Sequence, residues 1–251
     1  MFFAHILISK AFYLRGSVLT SNCLEAVGDY TSISRCILIG NIFNFFFDFQ
    51  IINRSKSNSM VETATFSLGC FWDPDAHFGI LEGVLVTRVG YCGGTHPPTP
   101  TYRSIGDYTE TIQIDFDPKR ISFAQLLSYF NQWHVPNTSK TRSQYAAAVF
   151  YHNEEQYRQI KEMKIENVRI DMFQKFYEAE DYHQKYNLKR KTVETDIFGK
   201  EEDWKDKDKE MTTKLNGFLA GYGTIEQFQK WDKRQELTRE QQKYIKDKLE
   251  K

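Results

Sequence analysis

TATFSLGCFWDPD, residues 63–75, holds a strand, a turn, a lone thiol and a helix start in one short run. Residues 63–68 are rich in β-branched and aromatic side chains, and Gly69 provides a turn. Asp73-Pro74-Asp75 then opens a helix, because proline is tolerated in a first turn whose N–H groups have no helical partner. Cys70 therefore stands between strand and helix. Free backbone N–H groups and the positive end of the helix dipole favour a thiolate there and lower a pKa that starts near ~8.5. A free cysteine otherwise behaves as a small buried hydrophobe, so position alone leaves both readings open.

Working outward, Gly83 stops the first helix and residues 84–91 read as the next strand. A Gly/Pro-rich loop, 92–102, precedes a strand over 109–116 that ends in the turn Asp117-Pro118. Ser122 and Gln125 form a capping box ahead of Leu126, Leu127 and Phe130, which share one helical face. Residues 145–151 read as a further strand, and Asn153 caps a third helix running towards Val168. The order βαββαβ, then α, predicts an α/β (α+β) fold, a ferredoxin-like sandwich with additional helices. In that topology strands one and two run one way and strands three and four the other. One sheet edge then collects Cys70, Cys92, Thr109, Glu110, Tyr145 and the loop bearing Tyr102.

Glu110 has the same parity as Ile112, Ile114 and Phe116, which puts its carboxyl on the apolar face at the outer end of the strand. Desolvation and a nearby thiolate would hold its proton and suit it to general acid catalysis. The plain alternative is a rim carboxylate reaching water. Tyr102 and Tyr145 offer hydrogen-bond donors at the same edge, although core packing is the commoner fate of tyrosine.

Composition narrows the function. Lys+Arg and Asp+Glu both number 33 in 251 residues, so no charge excess points to nucleic acid or to a cationic partner. Cys23, Cys36, Cys70 and Cys92 contain no CxxC and are too sparse for a disulfide framework, which implies a reducing compartment, the cytoplasm. Six histidines lack metal-ligand spacing, so no metal is assigned. Polar residues interrupt the apolar run 37–52, which falls short of the ~20 residues that span a bilayer, so no membrane association is expected. Residues 1–59 are read as an N-terminal extension, disordered or absent from the mature protein, with Met60 an alternative start. If the extension is a presequence, mitochondrial import is the version its composition opposes least. The catalytic domain is placed at 60–190. Residues 191–251 are read as a charged, largely helical C-terminal extension whose alternating charges imply a solvated face, and a monomer is expected.

GCFW at 69–72, TRVGY at 87–91, GG at 93–94, PTY at 100–102, GDYTE at 106–110, DFDP at 115–118 and AEDYHQKY at 179–186 together resemble the peptide methionine sulfoxide reductases, type A. The resemblance spans roughly residues 63–190. It implies that Cys70 is the nucleophile, that Glu110 protonates the sulfoxide oxygen, and that Tyr102 and Tyr145 bind that oxygen. It also implies that Phe71 and Trp72 form an apolar wall for the substrate methyl group, and that the S epimer of methionine sulfoxide, in proteins or free, is reduced. No bound cofactor is implied; the cysteine sulfenic acid left behind needs an external thiol such as thioredoxin or glutathione. Cys92 is the one candidate resolving thiol within the domain. The chain departs from the family pattern at Asp73, where glycine is usual, at Tyr108, where histidine is common, and near Tyr145, where an aspartate is missing. Rival readings are a thiol peroxidase or thioredoxin-like enzyme, which leaves the aromatic pair unexplained, and a non-catalytic redox sensor or sulfoxide-binding module.

Overall fold

The computed structural model describes residues 61–200, 202–205 and 208–251, so the expectations for residues 1–59, for Met60 as a start and for Cys23 and Cys36 lie outside the described residues. Residues Ser59–Lys251 form one compact unit. Its strands are β1 Glu62–Ser67, β2 Val84–Cys92, β3 Thr109–Phe116, β4 Ala148–Tyr151, β5 Arg169–Met172 and β6 Tyr177–Glu178. Its helices are α1 Trp72–Gly79, α2 Phe123–Trp133, α3 Glu154–Met163, α4 Tyr186–Glu194, α5 Glu202–Lys205, α6 Lys209–Ala220, α7 Ile225–Lys230 and α8 Arg239–Leu249.

The sheet order is β5-β4-β1-β3-β2-β6. β3 lies antiparallel between β1 and β2, and β4 is antiparallel to β1, so the central four strands have the ferredoxin-like order and directions. Alternation along the strands sends Ala64, Phe66, Ile112, Ile114, Phe116 and Val149 into one core with Phe78, Leu126, Leu127 and Phe130. Ser122 caps α2 through the full capping box with Gln125, and Asn153 caps α3 by accepting from the Gln156 N–H.

Three expectations need correction. Residues 145–147 are not strand: Ser143–Tyr145 is a 3₁₀ turn and β4 starts at Ala148. Side chains take the backbone groups that a ladder would use. Thr109 Oγ1 donates to the carbonyls of Gln144 and Ala146 at 3.2 and 3.1 Å, and the Asn137 amide pairs with both backbone groups of Ala147 at 2.8 Å. The third helix ends at Met163, with Lys164 left-handed at φ 52°, and the following residues lead into β5. The last sixty residues do not present only a solvated face. Met211, Leu215, Phe218 and Leu219 recur at helical spacing on α6 and are buried in the main core.

The sheet edge beyond β2 also carries structure that charge-rich sequence conceals. β6 pairs with Gly90 and Tyr91, and a side chain at Gly90 would collide with the Tyr177 carbonyl. The Gln184 amide then imitates a strand residue, accepting from the Val89 N–H at 3.0 Å and donating to its carbonyl at 2.8 Å.

Leu215 is fully buried, so Leu215→Ala should lower unfolding stability by about 3 kcal/mol in urea titrations. A change under about 0.5 kcal/mol would show that α6 is an appendage and not core.

Candidate active site

β1 ends at Ser67, and Gly69 turns the chain with φ 88°, a conformation that glycine adopts without strain. Cys70 follows, exposed, just ahead of α1, and lines an open depression of about 370 Å³ with Leu68, Gly69, Val135 and Tyr145. The backbone N–H of Trp72 is directed at its sulfur. The thiol pKa is nonetheless above the ordinary value: crowding by neighbouring atoms raises it most, the Trp72 N–H opposes this, and Glu110 and Asp73 raise it further. A helix start by itself favours a lowered pKa, the opposite of what is found here. The N–H effect is present but outweighed.

Glu110 is 1% exposed at the outer end of β3. Its Oε2 accepts from the Phe71 N–H at 3.1 Å and its Oε1 from Gln144 Nε2 at 2.7 Å. Burial raises its pKa, against the lowering effect of those two donors. A carboxyl that holds its proton more tightly than a free glutamate, one residue from Cys70, is suited to proton donation. Gln144 carried no signal of its own in the sequence; only the 3₁₀ turn at 143–145 brings its amide to this carboxyl.

Tyr102 feels Tyr145, Glu110 and Cys70 electrostatically, so both hydroxyls belong to this edge. Burial raises the Tyr102 pKa, with Tyr145 and Glu110 adding to it, which keeps the phenol protonated. Tyr145 is 39% exposed. Behind them, Glu180 accepts from the Tyr102 N–H at 3.0 Å and from Tyr91 Oη at 2.8 Å. Burial alone would raise the Glu180 pKa, but its hydrogen bonds bring it below the ordinary value.

Phe71 is fully buried against Val89, Tyr91, Tyr108 and Ala179, while Trp72 is half-buried. The indole stacks on Tyr186 with centroids 3.8 Å apart and 5° between planes, and its Nε1–H donates to His183 Nδ1 at 3.2 Å. Asp73 is exposed in the first turn of α1 and accepts from Tyr222 Oη at 3.2 Å. It does not cap the helix, so its charge remains felt at Cys70.

Cys92 is not brought to Cys70. It pairs with Thr109 on β3, whereas Tyr91 pairs with Glu110, so Cys92 points to the sheet face opposite Glu110. It is buried among Ala148, Phe150, Phe173 and Phe176, its Sγ donates to the Lys175 carbonyl at 3.1 Å, and burial pushes its pKa up to about 12. Among the described residues no group of three or more His, Cys, Asp or Glu is placed to hold a metal, and no helix is long and apolar enough to cross a membrane.

The family model for peptide methionine sulfoxide reductase matches residues 62–215. A peptide methionine sulfoxide reductase of Drosophila melanogaster is 38% identical over 205 residues, covering 72% of this chain and 78% of its own length. The peptide methionine sulfoxide reductase MsrA of Pelagibacter ubique is 36% identical over 149 residues, covering 52% of this chain and 100% of its own. Among solved structures, reduced Mxr1 from Saccharomyces cerevisiae overlaps 52% of this chain and 86% of its own, at 24% identity and a TM-score of 0.46.

Two substitutions separate the groups around Cys70. Asp73→Asn removes a charge that raises the thiol pKa, so the midpoint for iodoacetamide alkylation of Cys70 should move to lower pH; an unchanged midpoint would remove Asp73 from the account. Cys92→Ser should leave multiple-turnover rates within about twofold, because its thiol faces the wrong side of the sheet. A tenfold loss with an intact fold would restore Cys92 as resolving thiol.

Proposed function

The chain belongs to the peptide methionine sulfoxide reductase family, type A, and is an enzyme that reduces methionine sulfoxide to methionine; on that premise we propose a mechanism in which Cys70 and Glu110 act as a pair on the S epimer. The observation that carries it is the burial of Glu110 with its Oε2 on the Phe71 N–H, one residue from the thiol.

A sulfoxide oxygen is a poor leaving group until it gains a proton. The Cys70 thiolate attacks the sulfoxide sulfur while the Glu110 carboxyl gives its proton to the oxygen, and Tyr102 and Tyr145 hold that oxygen through their hydroxyls. The oxygen passes from the substrate to Cys70, so methionine leaves and Cys70 becomes a sulfenic acid. Trp72 forms the apolar wall for the methyl group, and Phe71, closed from solvent, backs it.

A first external thiol attacks the sulfenic acid, releasing water and forming a mixed disulfide on Cys70. A second thiol releases Cys70 as the oxidised thiol pair departs. Thioredoxin or glutathione supplies those electrons in a thiol-reducing compartment, the cytoplasm. The exposure of Cys70 and the burial of Cys92 on the opposite face support an external reductant over an internal one.

Both pKa values are raised, so the competent pair, thiolate with carboxylic acid, has the same net charge as the pair with the proton on sulfur. The single-turnover rate should therefore be bell-shaped in pH. Glu110→Gln should slow it by about 10²–10³-fold. That variant should also show a single rise with pH, because its alkaline limb is lost. That rise marks the Cys70 thiol and should lie below the pH of the wild type's alkaline limb, since a charge that raises the Cys70 pKa is gone. A bell-shaped profile retained at full rate would overturn the acid role.

A further inference from the structure

Two loops adjoin Tyr102 and Tyr145, the second of which lines the Cys70 depression, and their cations have no acid partner among the described residues. Residues 101–106 carry Arg103 directly after Tyr102, and residues 138–143 carry Lys140 and Arg142 directly before Gln144 and Tyr145; all three cations are exposed. The loops meet where Ser143 Oγ donates to the Gly106 carbonyl at 3.5 Å, and Tyr145, just after the second loop, acts electrostatically on Tyr102 beside the first. Within the second loop the Thr138 and Thr141 hydroxyls bond to each other and to backbone N–H groups, that of Lys140 included, and not to the charged group of either cation. Arg103 acts on Tyr182, which is 55% exposed on the same side.

The carboxylates of this edge are already committed. Asp107 accepts from the N–H groups of Thr95 at 2.9 Å and His96 at 2.8 Å, which brings its pKa down to about 2. Glu110 is buried, and Glu180 holds Tyr91 and Tyr102. Asp181 pairs with Lys189 at 2.9 Å, and Asp73 accepts from Tyr222 on the helix side. Arg103, Lys140 and Arg142 are thus exposed positive charges with no ion-pair partner among the described residues, near a floor to which Val135, 77% exposed, adds apolar surface.

An extended peptide advances about 3.3 Å per residue, so residues one to three positions from a methionine sulfoxide seated at Cys70 pass over these loops. Charge complementarity at such a rim acts chiefly on encounter and on which partner is accepted. We propose that this rim selects methionine sulfoxide lying in acidic peptide segments, with flanking aspartate or glutamate carboxylates received by Arg103, Lys140 and Arg142. The proposal rests on the reductase mechanism above and adds to it the class of peptide taken.

The test uses capped hexapeptides with one methionine sulfoxide flanked by glutamate, by alanine or by lysine, beside neutral N-acetyl methionine sulfoxide methylamide. The glutamate peptide should have about fivefold higher kcat/KM than the alanine peptide and the lysine peptide a lower value, through KM, with the spread closing in high salt. In R103E/R142E the order should reverse when each peptide is referred to the neutral substrate in the same variant. Equal values for the three peptides, or an acidic preference that survives R103E/R142E, would overturn the rim assignment. Calorimetric affinities of the same peptides for C70S should follow the same order without any turnover, and equal affinities there would overturn it too. Failure of the wild type to reduce the neutral substrate counts instead against the mechanism, since that substrate carries no charge for the rim to read.

Discussion

The carboxyl of Glu110 is kept from water by two donors from distant parts of the chain, the Phe71 N–H at 3.1 Å and the Gln144 amide at 2.7 Å. Each donor comes from a segment that must itself be placed correctly. Phe71 belongs to the turn that presents Cys70, and Gln144 to the 3₁₀ turn that presents Tyr145. One buried acid therefore ties the turn bearing Cys70 and the turn bearing Tyr145 into a single geometry. Removing either donor would leave a buried polar oxygen without its partner, a cost of about 1–3 kcal/mol, which makes the arrangement self-enforcing.

The helix that follows Cys70 is fixed from its other side by Asp75, which is 1% exposed. Its carboxylate accepts from Thr87 Oγ1 at 2.6 Å, Lys185 Nζ at 2.8 Å and Asn216 Nδ2 at 3.1 Å. These partners lie on β2, at the start of α4 and on α6, so the charge is paired and hydrogen-bonded, as a buried carboxylate must be. Asn216 Oδ1 in turn accepts from the N–H groups of Asn187 and Leu188, satisfying the open start of α4. The charged C-terminal sequence is thereby part of what orients α1.

Much of this was legible in the residues. β3 has the bounds its sequence implies, because 109–116 has a clean two-residue period; that period puts Glu110 on the apolar face but does not decide between burial and a rim position, which the structure resolves as burial. The Ser122–Gln125 capping box was legible because it is a local bond between near neighbours. What escaped depends on distant partners. Strand status of 145–147 was lost to the side chains of Thr109 and Asn137, and β5 and β6 are short strands whose pairing is visible only once β4 and β2 are in place. Burial of α6 had a signal in Met211, Leu215, Phe218 and Leu219, but neighbouring lysines hid it. The sign of the Cys70 shift could not be read from a helix start, since it is the balance of that N–H against crowding and two acids.

Cys70 stays protonated longer than a free thiol and Glu110 stays protonated longer than a free glutamate, because loss of water outweighs the N–H donors at each. The most direct measurement is the carbon-13 NMR titration of the Glu110 side-chain carboxyl in the intact reduced protein, assigned by comparison with Glu110→Gln. A midpoint clearly above the ordinary glutamate value of 4.5 is expected, because burial outweighs its two hydrogen bonds. A midpoint at or below that value would mean that the carboxyl is ionised when substrate arrives, and that the proton for the departing oxygen comes from elsewhere.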